Sequence, residues 1–270
     1  MKKLVFLTAI FGLLLTFSCK KNEAAPQGVS HSANEVSKSS DITVQSRSNP
    51  GFCLRLNAGF YSKIENDTGS DTDKIKWLAY MSLGDSVLAG NTRRITFEGD
   101  GRIYDFIEIR RDNGDEGYAL ARDIAVGGRL AVVTDEKANL FRSPKAVDVS
   151  GVTLPRKNIV AYLPETEKSG FVQIKGYNTG AQDFIRENNN YIRPTSISRK
   201  DSDIQSAILL QTALSLSDTA QNRIRKEAML EDAIMLYSDS VFYSEIYEAA
   251  HPSASGVDNQ SGNSTEDYAE

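Results

Sequence analysis

Histidine is almost missing from this chain. Of its 270 residues only His31 and His251 are histidines, one in a polar N-terminal stretch and one at the end of the last helical pattern. No imidazole is therefore expected in a folded core, where a general base or a zinc ligand would have to stand. His-Glu-x-x-His, Cys-x-x-Cys, Gly-x-Ser-x-Gly and phosphate-loop sequences do not occur. With them go the usual carriers of metalloprotease, redox, serine-hydrolase and nucleotide chemistry, and no enzyme, cofactor or metal is expected. The acidic run Asp67-x-x-x-Asp71-x-Asp73 has Thr72 and Leu78 where an EF-hand needs its Gly and terminal Glu, so it reads as a solvated loop. Basic residues are in deficit, 31 against 36 acidic, for a formal charge of −5. Such a chain is a poor electrostatic partner for nucleic acid.

Long apolar runs are missing too. The stretch Leu4–Phe17 falls short of the roughly 20 residues that span a bilayer, but it follows Lys2-Lys3 and ends at Ser18-Cys19, as a signal peptide over residues 1–18 would. A Cys after a small residue at the end of such a run resembles the lipobox of bacterial lipoproteins, here with Leu15 one place further back than usual. The resemblance implies acylation of Cys19 after cleavage, and several acyl chains on one residue hold a protein stably on a bilayer. Only two cysteines are present, so lipidation of Cys19 leaves Cys53 alone. No intramolecular disulfide is then possible, and Cys53 reads as a small buried apolar residue. Losing Lys2 and Lys3 with the signal takes the charge to −7.

What is present is organised around Phe106–Ile124. Ile107 and Ile109 alternate with Glu108 and Arg110 as in a half-buried strand, Asp112-Asn113-Gly114 supplies turn residues, and Gly117-Tyr118-Ala119-Leu120 opens a return strand. A strand of this kind followed by Gly-x-x-Gly-aromatic resembles the C-terminal half of the bacterial SH3-like domain. Leu83-Gly84-Asp85-Ser86-Val87 is similar to that family's Leu-x-x-Gly-Asp-x-Val segment, shortened. A weaker copy follows, with Phe171–Lys175 for the first strand, Tyr191-Ile192 for the second and Ala138–Pro144 for the family's Leu-aromatic-x-x-Pro opening. Gly180–Asn190 replaces the short turn there, which calls for a longer or bulged hairpin tip. Four landmarks recur in order: Phe60 with Phe141, Leu83 with Leu154, Phe106 with Phe171 and Tyr118 with Tyr191. Each tip closes on an isoleucine, Ile124 and Ile197.

The expected fold is mainly β with a C-terminal α segment: two small SH3-like β-barrels followed by a short helical bundle. The expected divisions are a signal peptide (1–18), a disordered tether (19–50), a first module (51–127), a degenerate second module (128–199), a helical segment (200–251) and a disordered tail (252–270). Alternation of Leu54, Leu56, Ala58 and Phe60 predicts one opening strand. Ile204, Ile208, Leu209 and Ala213 recur at helical spacing after Asp201-Ser202-Asp203, and further helices are expected from Ser217-Asp218 and from Ser238-Asp239-Ser240. Helices this short are marginal alone and should pack together or on the second module.

Function then rests on aromatic side chains. Tyr61, Trp77, Tyr80, Tyr104 and Tyr118, with Phe106, fall near the loops that border the ligand groove of SH3-like folds, where aromatics stack on peptides or sugars. Phe106 and Tyr118 read more readily as packing; Tyr61, Trp77 and Tyr104 suit either role. SH3-like modules often accompany NlpC-type peptidases, whose Cys–His pair this chain lacks. The resemblances imply a non-catalytic binding or adaptor lipoprotein of the bacterial cell envelope, held on the lipid bilayer, in the outer membrane by preference, and facing periplasm or exterior. Its partner would be a cell-wall peptide or an envelope protein. Surface binding of host or environmental ligands, or a structural place in an envelope assembly, are the alternatives.

Overall fold

Asn57 takes a left-handed conformation, φ +57°, and so divides the expected opening strand into two, β1 (Asn49–Cys53) and β2 (Ala58–Tyr61). Asparagine tolerates that region better than most residues, which alternation alone cannot reveal. The computed structural model describes residues 49–62, 75–97 and 100–252, all within the unit Gln45–Glu270. The signal segment with Cys19, His31, the acidic run Asp67 to Asp73 and nearly all of the tail lie outside the described residues.

After β2 come β3 (Trp77–Met81), β4 (Ser86–Thr96), β5 (Ile103–Arg111), β6 (Glu116–Leu120) and, past a short 3₁₀ turn, β7 (Ile124–Val126). They form an antiparallel sheet in the order β3-β2-β6-β5-β4-β1-β7. A second sheet follows from β8 (Arg129–Val133), β9 (Lys137–Phe141), β10 (Val149–Pro155), β11 (Ile159–Lys168), β12 (Phe171–Asn178), β13 (Asp183–Phe184), β14 (Tyr191–Ile192) and β15 (Ile197–Ser198). Its order is β10-β9-β14-β12-β11-β8-β15, with β13 beside β12. Strand for strand this is the first sheet again, and a 3₁₀ turn precedes β15 as one precedes β7.

The repeat extends to individual bonds. Tyr118 lies opposite Tyr61 and Glu108, and Tyr191 opposite Phe141 and Gln173; Ile124 faces Cys53 as Ile197 faces Val133. Gly84 N donates to Cys53 O at 2.8 Å as Lys157 N does to Val133 O at 2.8 Å, and these donors share positive φ, +85° and +70°. Register also corrects two landmarks. Phe141 stands in the place of Tyr61 rather than Phe60. Leu154, opposite Ala138, stands in that of Met81, which is opposite Ala58, rather than Leu83. Leu83 sits in the turn after β3, and linear spacing does not separate strand from turn.

Gly114 and Gly117 have different physical reasons. Gly114, φ +88°, makes the turn with nothing near it, whereas a Cβ on Gly117 would stand 2.2 Å from the Tyr61 carbonyl oxygen. Gly117 thus lets β6 lie against β2. In the second sheet the longer tip forms the additional strand β13, with Tyr177 packed edge-on against Phe184 at 5.2 Å.

Three helices follow among the described residues, α1 (Asp201–Ser215), α2 (Ala220–Leu236) and α3 (Tyr243–Ala250). Thr219 caps α2 by accepting from Asn222 N at 3.2 Å. Asp203 is buried in the first turn of α1, where it accepts from the Ser198 hydroxyl at 2.5 Å and from Val241 N at 2.9 Å, tying β15, α1 and the approach to α3 together. Ile204, Ala207, Leu210, Ala213, Leu230, Phe242 and Ile246 share one core with Val132 and Ile159 of the second sheet and Leu83 of the turn after β3. The helices are therefore built onto the second sheet and the turn that follows β3.

Candidate functional site

A register shift between Phe60 and Tyr61 sets Trp77 opposite Tyr61 while Ala79 stays opposite Phe60, so Leu78 is an extra residue in β3. Strict alternation would put Trp77 on the inner face with Ala79 and Met81. The bulge turns it outward. Its ring meets Tyr80 edge-on at 5.1 Å, and Trp77, Leu78 and Tyr80 are 52%, 50% and 61% exposed. β3 is the outermost strand of its sheet order and pairs only with β2 among the described residues. An apolar, hydrogen-bonding surface thus lies along an edge strand.

The other aromatics form a cluster behind it. Tyr61 packs edge-on against Phe97 at 6.0 Å and Phe106 at 5.3 Å, and Phe97 packs against Tyr104 at 6.4 Å. Phe106 and Tyr118 are buried in this cluster with Ile75 and Ile95, apart from the core of the sheet, which holds Ile107, Ile109 and Met81. The Tyr118 hydroxyl donates to Glu108 Oε1 at 3.0 Å, so the side chain belongs to packing. Tyr104 donates to Asp100 Oδ2 at 2.6 Å; that bond holds the Asp100 carboxyl below its usual range and raises the phenol. Tyr61 connects the two groups. Its hydroxyl lies over Gly59, where a Cβ would stand 2.6 Å away, and Gly59 is opposite Tyr80. Burial, and after it the charge of Asp123, raises the Tyr61 phenol.

Of the six aromatics singled out in the sequence, Trp77 and Tyr80 are presented to solvent, Tyr61 lies opposite Trp77 on the neighbouring strand, and Tyr104, Phe106 and Tyr118 belong to the cluster that holds Tyr61. Cys53 is fully buried, and burial pushes its thiol up to about 12; a thiol held that high is inert as a nucleophile. Among the described residues no group of His, Cys, Asp and Glu is placed to hold a metal ion, and no helix is long and apolar enough to cross a membrane.

Sequence reasoning missed one polar feature. Asp123 is fully buried in the 3₁₀ turn before β7, and Arg55 Nη2 reaches its Oδ2 at 3.3 Å. Burial outweighs that guanidinium and raises the Asp123 carboxyl. The two residues stand 68 positions apart, and no local pattern joins them.

No protein-family model and no curated protein matches the chain. Among solved structures, NlpC1 from Trichomonas vaginalis aligns at 15% identity and a TM-score of 0.22, over 63% of this chain and 55% of that one. NlpC2 from Trichomonas vaginalis aligns at 12% identity and a TM-score of 0.21, over 62% of this chain and 56% of that one. The chain thus spans little more than half the length of either, and TM-scores this low do not establish a shared fold.

Proposed function

We propose that this chain is a lipid-anchored bacterial envelope protein whose two sheets are SH3-like modules, and that it binds a cell-wall peptide or an envelope protein without catalysing a reaction. The observation that carries the reading is the Trp77–Tyr80 pair, two large rings half or more exposed on an edge strand and backed by Tyr61. An extended ligand could add to the β3 edge, which has no second partner strand among the described residues, by main-chain hydrogen bonds while its side chains stack on the two rings. Cys19, once acylated, would hold the protein on the bilayer, and the polar stretch after it would let the modules reach the wall. Location in the outer membrane, facing periplasm or exterior, belongs to the same proposal.

A second reading, a subunit of an envelope assembly docked through its helices, is favoured by Ile224, Met235 and Leu236 of α2, which are 70%, 71% and 66% exposed. Co-sedimentation with purified cell-wall sacculi separates the two. The first reading expects wild-type protein in the pellet and Trp77→Ala in the supernatant; the second expects neither to pellet, and recovery of a membrane complex that Ile224→Ser disrupts.

A further inference from the structure

Where the two sheets and α1 meet, a half-enclosed cavity of about 210 Å³ opens. An engineered cavity of about 150 Å³ holds a benzene ring, so this one has room for roughly eight or nine non-hydrogen atoms, about one amino-acid residue. Its apolar walls are Leu54, Leu56 and Leu83 of the first module and Ile159 of the second. Arg55 and Gln211 add polar groups of complementary kinds.

Arg55 is only partly spent on its partner. One Nη2 hydrogen bond goes to Asp123 Oδ2 at 3.3 Å, while Arg55 Nε and Asp123 Oδ1 are buried with no hydrogen-bond partner among the described residues. The guanidinium–carboxylate fork is thus half made, and the Arg55 side chain keeps 32% of its surface exposed, so it can meet a further acceptor. Gln211 Nε2 donates to Lys157 O at 2.7 Å. That bond fixes the amide's orientation, and its Oε1 is left with no partner among the described residues.

A cation, an apolar wall and the neutral acceptor of Gln211, with Tyr177 and Thr179 completing the lining, form a pattern that few ligands match. From it we infer that the cavity captures the free carboxyl-terminal residue of a peptide that ends in a small apolar side chain. The terminal carboxylate meets Arg55, the side chain lies against Leu54, Leu56, Leu83 and Ile159, and the residue's own amide N–H donates to Gln211 Oε1. The rest of the peptide leaves through the open side. This site is separate from the Trp77 surface and does not depend on it.

The test is titration calorimetry of the full chain with N-acetyl-leucine in both enantiomers and with the corresponding amides. Saturable one-to-one binding of an acid is expected, at least tenfold weaker for its amide and at least tenfold weaker in Gln211→Glu, which sets a carboxylate where the acceptor stood. Arg55→Lys, which keeps a charge beside Asp123, should also lose at least tenfold, with circular dichroism confirming that both variants fold. Preference for the D acid would assign the site to wall-type peptides and preference for the L acid to protein C-termini, each supporting the capture. Equal affinity for acid and amide, no saturable binding, or binding that Trp77→Ala removes and Gln211→Glu leaves intact would overturn it.

Discussion

Trp77 is half exposed, and that fraction decides what its loss does. A fully buried tryptophan replaced by alanine costs about 3 to 5 kcal/mol of stability; an exposed ring that anchors a ligand costs about 1 to 3 kcal/mol of binding instead. Trp77→Ala should therefore weaken binding of wall-derived muropeptides by about 1 to 3 kcal/mol and shift the melting temperature little. Trp77 is the sole tryptophan, so its emission reports the same titration in the wild type. Unchanged affinity with a lowered melting temperature would assign the ring to packing. Asp123 gives a second test, through pH. Burial raises its folded carboxyl above its ordinary value, with Arg55 opposing, while the unfolded chain titrates near about 3.9. Between those two values the folded state holds more protons, so this residue's contribution to stability falls as pH rises. Relative to Asp123→Asn, the wild type should lose stability as pH is raised from about 4 toward neutrality, read from urea midpoints. An opposite slope would mean that Arg55 outweighs burial.

At the scale of elements, the β6 approach to β2 separates two uses of glycine. Ala at position 114 meets open space and only a positive φ, a cost of about 1 to 2 kcal/mol. Ala at position 117 would set its Cβ 2.2 Å from a backbone oxygen and must push β6 away from β2, so about 3 kcal/mol or more is expected, at or beyond the usual overpacking range. Denaturant midpoints of Gly114→Ala and Gly117→Ala should differ in that order, and equal losses would disprove the steric reading of Gly117. These elements were legible because local chemistry dictates them. The helical spacing of Ile204 and Ile208, the Asn113-Gly114 turn and the alternation around Ile107 each record their own backbone. Less legible was anything set between elements. Asn57 breaks a strand whose apolar alternation continues across it, and the bulge at Leu78 turns Trp77 outward although its alternation points inward. Arg55 meets Asp123 only because β1 and β7 are neighbours, and Gln211 reaches the cavity only because α1 packs on β8 and β11 and against the turn at Gly84.

The whole molecule is tied together by its helices. Arg156, in the turn before β11, donates to Glu245 Oε1 at 2.6 Å and Val241 O at 3.1 Å, bonds Thr134 O, and lies over the Phe242 ring at 4.8 Å. Lys157 adds an ion pair to Glu245 at 3.2 Å. Toward the first sheet, α1 presses Ile208 against Gly84, where a Cβ would stand 2.6 Å from Ile208 Cδ1, and Leu54 and Ala125 pack with Ala161 of the second sheet. Leu210 sits at the centre of this shared core, 2% exposed. Because its core joins the second sheet and all three helices to Leu83 in the turn after β3, the whole should unfold together. Leu210→Ala should cost about 2 to 5 kcal/mol and should move two probes equally: Trp77 emission, which reads the first sheet, and far-ultraviolet circular dichroism, which reads the helices. Coincident urea transitions in the wild type, displaced together in the variant, would mark one cooperative unit. If the circular dichroism transition fell while Trp77 kept its midpoint, the first sheet would be an independent domain, and the junction cavity would have to form by docking rather than by folding.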